Sequence, residues 1–155
     1  MTDKNMSQSD APFQRESNLL QRILVVDDHN AVRQFSVAML VDSGYDVDAA
    51  KDGADGWEAL QAGNYDLVIT DNKMPRMTGI EMIEKLHYAH MTVPVIMATG
   101  ILPVHEFARK PWLKPEAMLE KPFSNDDLLG AVKKVLNKDD GSDGRKETYP
   151  RYIPE

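Results

Sequence analysis

Five residues with reactive or charged side chains follow or close short apolar runs in this 155-residue sequence. Asp27 and Asp28 follow Ile23 to Val26, Asp71 follows Tyr65 to Thr70, Thr99 follows Pro94 to Ala98, and Lys121 follows soon after Ala117 to Leu119. Taken singly, each has a structural reading: Asp28 as a helix cap, Asp71 as the start of a turn before Pro75, Thr99 as a strand end before Gly100. Brought together, the three carboxylates repel one another unless a cation sits among them. Mg²⁺ suits such a set, being hard, oxygen-seeking and content with one or two carboxylates, several waters and a phosphate oxygen.

Whether they come together depends on the elements that carry them. Five short runs, at 23 to 26, 45 to 49, 65 to 70, 94 to 98 and 117 to 119, alternate with segments of helical period, the pattern of βαβ units and a parallel sheet. The stretches 23 to 26, 67 to 69 and 95 to 97 are continuously apolar, as strands covered on both faces must be, so they are expected in the centre. In an open parallel sheet the ligand crevice lies beyond the carboxyl ends of the strands, which is where all five residues fall.

The helices are legible too. Val32, Phe35, Met39 and Leu40 predict an apolar stripe on the first helix, stopped at Ser43-Gly44. Ile80, Ile83 and Leu86 predict a helix after Thr78-Gly79. Leu128, Leu129, Val132, Val135 and Leu136 predict the last one, with Ser124 as N-cap and Asp127 three residues on. Pro103, Pro111 and Pro115 leave room for about two turns, roughly 104 to 110, so the fourth helix is expected to be short or distorted.

At this point the residues resemble the receiver domain of two-component response regulators, of the stand-alone, chemotaxis-regulator kind. The resemblance rests on VVDDHNAVRQ at 25 to 34, DLVITDNKMPRMTGIE at 66 to 81, MATG at 97 to 100 and EKPF at 120 to 123, and covers about 22 to 137. It implies a doubly wound five-stranded parallel sheet of order 2-1-3-4-5 with helices on both faces. It implies Asp71 as phosphoacceptor nucleophile, Lys121 as phosphate contact and Thr99 as switch hydroxyl. Asp27, Asp28, Asp71 and the backbone carbonyl of Lys73 would hold Mg²⁺. The phosphoryl donor would be a sensor histidine kinase or phosphotransfer protein. The chain would then be a phosphoacceptor that catalyses its own phosphorylation and dephosphorylation, not a turnover enzyme.

Three positions depart from that pattern or extend it. Met118 stands three residues before Lys121, where receivers usually carry Tyr or Phe; it either fills the gap as a flexible apolar side chain or leaves the relay to another residue. Lys73 replaces a small polar residue; its side chain either reaches the phosphate or points to water, and the second is the reading taken. His29 beside the acid pair either tunes the site or extends into solvent from the first helix, and the second is the reading taken. His87 and His90 share helical spacing but have no further ligand in view, so a transition-metal site is not expected. Phe107, Trp112 and Leu113 are read either as a remodelled docking surface, with 104 to 123 meeting an unknown downstream protein, or with Trp112 folded back over the sheet.

Composition excludes several other classes. Net charge is −7, and between 21 and 137 there are 12 Lys and Arg against 17 Asp and Glu, so direct nucleic-acid binding is not expected. Cysteine is absent, which removes disulfides and thiolate metal sites. The polar first 20 residues hold no apolar run long enough to span a membrane, so membrane insertion is not expected and a cytoplasmic protein is. Segments 1 to 20 and 138 to 155 lack apolar periodicity and read as mobile tails around a domain at 21 to 137, with no output domain expected after it. Three rivals remain: a receiver-like module that is never phosphorylated, the receiver fragment of a hybrid histidine kinase, and a phosphatase with an Asp nucleophile. Phosphatases resembling the haloacid dehalogenase family place Asp-x-Asp at a strand end, whereas Asp71 is followed at +2 by Lys73.

Overall fold

The computed structural model describes residues 19–137. The tail expected over 1 to 20 lies, apart from Leu19 and Leu20, outside the described residues, as does the tail expected over 138 to 155. Along the chain come β1 (Arg22–Val26), α1 (Asn30–Asp42), β2 (Asp46–Ala50), α2 (Gly53–Ala62), β3 (Leu67–Thr70), α3 (Gly79–Tyr88), β4 (Val95–Thr99), α4 (Val104–Arg109), β5 (Ala117–Glu120) and α5 (Asn125–Leu136). All strand pairs are parallel and the order is β2-β1-β3-β4-β5, the α/β doubly wound sheet predicted from the alternation. The three continuously apolar runs are the three central strands.

Alternation within those strands divides the core in two, because successive side chains leave a strand on opposite faces. Leu24, Val26, Val68 and Met97 pack with Leu60 of α2, Met82 and Leu86 of α3 and Phe107 of α4. Ile23, Val25, Ile69 and Ile96 pack with Leu40 of α1 and Leu128, Val132 and Val135 of α5. A strand buried on both sides leaves no room for a charged residue until it ends, and the acids appear just beyond β1 and β3.

Capping chemistry sets the helix ends as predicted for α5, where Ser124 and Asp127 exchange hydrogen bonds of 3.0 Å in both directions. A second capping box joins Thr78 and Glu81 at the start of α3. Gly44, just past α1, has φ +98°, a left-handed conformation that favours glycine. The stripe of α1 differs in one place: Phe35 is partly exposed and pairs with Phe123, ring centres 6.4 Å apart, while the small Ser36 shares the buried line with Leu40.

Between β4 and β5 the prolines act as predicted. α4 has six residues and a single 3-10 turn follows at Pro111–Leu113. Three residues per turn send neighbours in different directions. Leu113 is 1% exposed and Phe107 6%, whereas Trp112 is 54% exposed. The grouping of all three as a surface is thus corrected: Phe107 and Leu113 are core, and Trp112 does not fold back over the sheet. Met118 lies opposite Met97 in the β4–β5 register and packs against the same core cluster. Among the described residues no helix is long and apolar enough to cross a membrane.

Close approach of backbone requires glycine at Gly53, against the Met77 carbonyl, and at Gly79. A Cβ at Gly79, the first residue of α3, would collide with the carbonyl oxygen of Asp71, whereas one at Gly130 in α5 would meet nothing. Gly79→Ala is expected to destabilise the fold by about 1–3 kcal/mol through this overlap. Gly130→Ala is expected to stabilise it by about 0.5–1 kcal/mol through helix propensity. Urea denaturation of the two variants beside wild type checks both signs.

Candidate functional site

The parallel ladders run one residue past the strands and thereby place the acids. Asp27 N–H donates to the Ala50 carbonyl at 3.1 Å, and Asp71 N–H donates to the Val26 carbonyl at 3.0 Å. Lys121 N–H donates to the Thr99 carbonyl at 2.9 Å, so the end of β5 is tied to the end of β4 in the same way. Asp27, Asp71 and Thr99 are all buried, and the Lys121 side chain reaches across to the two acids. Its ammonium lies 2.8 Å from Asp27 Oδ2 and 3.0 Å from Asp71 Oδ2. Burial pulls the Lys121 pKa down, yet the hydrogen bonds and negative charges of Asp27 and Asp71 outweigh it and hold the group above its ordinary value.

The other carboxylate oxygens of Asp27 and Asp71 accept backbone N–H groups. Asp71 Oδ1 accepts the Asn72 N–H at 2.7 Å and Asp27 Oδ1 accepts the His29 N–H at 2.9 Å. Asp28 does not cap α1: the N-cap is His29, and no side-chain cap bond forms. Instead Asp28 Oδ1 is buried without a hydrogen-bond partner. A buried carboxylate oxygen facing two more acids and one ammonium leaves negative charge uncompensated. One ligand atom from each of Asp27, Asp28, His29 and Asp71 lies within 4.8 Å of the others. The orphaned oxygen and the mostly hard donor set fit a divalent cation such as Mg²⁺.

The loop after β3 is held from several sides. Thr70 Oγ1 donates to the Asp71 carbonyl at 2.7 Å, and Asn72 Oδ1 accepts the Ile80 N–H at 3.0 Å, fastening the loop to the start of α3. Lys73 has an exposed side chain, in keeping with its expected orientation to water. Thr99 Oγ1 donates to the Ile101 carbonyl at a long 3.4 Å, a contact readily exchanged for a better acceptor.

Sequence reasoning missed two arginines and understated one histidine. Arg76 has φ +69° and lies 3.3 Å from the buried Asp52 and from Asp55, linking the loop after β3 to the start of α2. Arg33 donates to the Asp27 carbonyl at 2.8 Å. Arg76 meets an acid 24 residues away and Arg33 a backbone carbonyl, so spacing of side-chain types carried no signal for either. His29 was expected to extend into solvent; its side chain is 67% exposed, but its Nδ1 turns back to within 3.5 Å of Asp27 Oδ1 and 3.6 Å of Asp28 Oδ1. His87 packs against Tyr88 and Trp112, and the only candidate metal cluster among the described residues is the one at Asp71.

Comparison with known proteins identifies the family of this fold. The family model of the response regulator receiver domain matches residues 23–133. The transcriptional regulatory protein DltR of Streptococcus agalactiae is 33% identical over 112 residues, 72% of this chain and 50% of the relative. The response regulator MprA of Mycolicibacterium vanbaalenii is 32% identical over 127 residues, 82% of this chain and 55% of the relative. The chain thus spans about half the length of these curated relatives. A CheY-like receiver from Methanospirillum hungatei superposes with a TM-score of 0.73 at 30% identity, covering 77% of this chain and 96% of that one. The response regulator TrrA of Thermotoga maritima, solved in complex with Mg²⁺-BeF, gives 0.66 at 31% identity, covering 76% and 100%.

Two outcomes test the electrostatics. Asp28→Asn is expected to stabilise the cation-free protein by about 1–3 kcal/mol by removing an uncompensated charge, and to lose most of the stabilisation that Mg²⁺ gives wild type; melting with and without MgCl₂ measures both. For Lys121 the folded pKa is raised, so its contribution is complete below its ordinary 10.5 and fades as pH climbs through the folded value. The stability lost in Lys121→Met should therefore be constant through neutral pH and shrink in the alkaline range, as urea titrations across pH would record.

Proposed function

This chain belongs to the response regulator receiver domain family, and we propose that Asp71 accepts a phosphoryl group from a partner histidine kinase or phosphotransfer protein in a Mg²⁺-dependent reaction. The observation that carries the reading is the ammonium of Lys121 bridging Asp27 and Asp71 beside the unpartnered oxygen of Asp28. An acid cluster of three carboxylates with one ammonium is suited to receive further positive charge and then an anionic group. Asp27, Asp28, Asp71 and the Lys73 carbonyl would hold Mg²⁺, which when bound supplies neutralisation of charge on the phosphoryl oxygens.

The residues of the chain do the rest. An Asp71 carboxylate oxygen attacks the phosphorus of a phosphohistidine; the P–N bond breaks, the imidazole leaves with its electron pair, and an acyl phosphate remains on Asp71. Lys121 exchanges its bond to Asp71 for one to the phosphoryl group, acting as a point charge. Thr99 gives up its long contact with the Ile101 carbonyl and donates to a phosphate oxygen. Hydrolysis of the acyl phosphate restores the carboxylate, so the domain acts on itself and not on a stream of substrate.

Phosphorylation adds about −1.5 to −2 charge, enough to draw Thr99 inward and shift the population of conformations of the loops after β3 and β4. The partners this controls are proteins in the cytoplasm. The phosphoryl donor meets the crevice edge, where Phe35 and Phe123 flank an apolar groove beside Lys121. The downstream partner meets 104–123, where Trp112, Arg109, Lys110 and Lys114 are exposed.

The test is incubation with MgCl₂ and acetyl phosphate, followed by intact mass. A base-labile adduct of one phosphoryl group is expected on wild type and none on Asp71→Asn. Absence of the adduct from folded wild type would favour a receiver fold kept as an interaction module without phosphate chemistry.

A further inference from the structure

The position of His29 raises a question that acid clusters alone do not. An imidazole at a helix N-cap is unusual, since that position favours Ser, Thr, Asp or Asn, whose short side chains accept backbone N–H groups. The His29 side chain makes no such bond. Its backbone N–H is instead spent on Asp27 Oδ1, which turns the residue toward the acids. Nδ1 then lies 3.5 Å from Asp27 Oδ1 and 3.6 Å from Asp28 Oδ1, too far for good hydrogen bonds.

Those distances suit a different arrangement. Ligands at about 2.1–2.2 Å from an octahedral ion lie about 3 Å apart when adjacent and about 4.3 Å apart when opposed. The separations of 3.5 and 3.6 Å fall between, and a small rotation of an imidazole that is 67% exposed brings them to the adjacent value without disturbing the core. Asp28 Oδ1, one of the two oxygens concerned, has no other partner. We propose that His29 Nδ1 is a direct ligand of the divalent cation, giving this site one nitrogen among its oxygens and a preference for Mn²⁺ over Mg²⁺. The inference rests on the reading of the acid cluster as a cation site.

The chemical reason for the preference is ligand type. Mg²⁺ demands oxygen and parts reluctantly with water, so an imidazole adds little to its binding. Transition-metal ions accept imidazole nitrogen as well as carboxylate, and of these Mn²⁺ is the one most at home among oxygens. A nitrogen at His29 therefore raises affinity for Mn²⁺ and leaves that for Mg²⁺ nearly where the acids alone would set it.

The test uses the folded protein with MnCl₂ and MgCl₂ as probes and His29→Asn as the variant, since asparagine keeps a good N-cap and offers only an oxygen to the ion. Pulsed electron paramagnetic resonance of bound Mn²⁺ should detect a directly ligated nitrogen in wild type and none in His29→Asn. Calorimetric titration should show the Mn²⁺ dissociation constant rising about tenfold in the variant while that for Mg²⁺ changes less than about threefold. Mn²⁺ bound in an Asp28-dependent way without nitrogen coupling, or with affinities equal in wild type and His29→Asn, overturns the role of His29 and leaves the cation site intact. Failure of either ion to bind wild type overturns the site and this inference together.

Discussion

Asp27, Asp28 and Asp71 are held together by backbone ladders whose stability comes from elsewhere, so their mutual repulsion cannot be relieved by letting them drift apart. The Val26–Thr70 pairing and the hydrogen bonds just beyond it fix two of the three acids before any side chain is considered. One ammonium, on Lys121, serves two of the carboxylates, and the third keeps an unpartnered oxygen. The core on both faces of the sheet supports this arrangement, because the apolar burial in β1, β3 and β4 far exceeds the penalty of a few uncompensated charges. The same imbalance makes the crevice receptive to a cation.

The loop that carries Asp71 is constrained at each end of its path. At the near end Gly79 allows the first turn of α3 to sit against the Asp71 carbonyl, and Asn72 ties the loop to Ile80. At the far end Arg76, in a left-handed conformation, reaches the buried Asp52 and the half-buried Asp55. A non-glycine residue at positive φ is strained, and the ion pairs with a buried carboxylate offset that strain. The loop is thus pinned on both sides while Thr99, on the neighbouring strand, has only a long contact to lose. A change of charge at Asp71 would move the loosely held partner first.

That contrast bears on the position opened by Met118. An aromatic residue there could swing between exposed and buried rotamers, whereas Met118 packs against the core opposite Met97. Methionine adapts its shape without a discrete change of exposure. The segment after Thr99 also differs, with a six-residue helix and a 3-10 turn that bury Phe107 and Leu113 and expose Trp112. Beyond Ile101 the large exposed hydrophobic side chain of this stretch is Trp112, held beside His87.

From the sequence alone came the strand count, the central strands, the capped start of α5, the shortness of α4 and the five residues at the crevice, because each depends on local chemistry: apolar runs, proline geometry, a Ser with an acid three residues on. Motifs at strand ends were legible for the same reason, since a parallel sheet converts position along the chain into position at one edge. Tertiary structure alone decided which residues face one another across that edge. Lys121 bridging Asp27 and Asp71, Arg76 meeting Asp52, and His29 turning toward the acids join groups by backbone geometry and not by sequence pattern. Burial followed the same division. Residue type marked Phe107, Trp112 and Leu113 alike as large and apolar, and only the short helix and the 3-10 turn after it determined that Phe107 and Leu113 would enter the core and Trp112 would face the solvent.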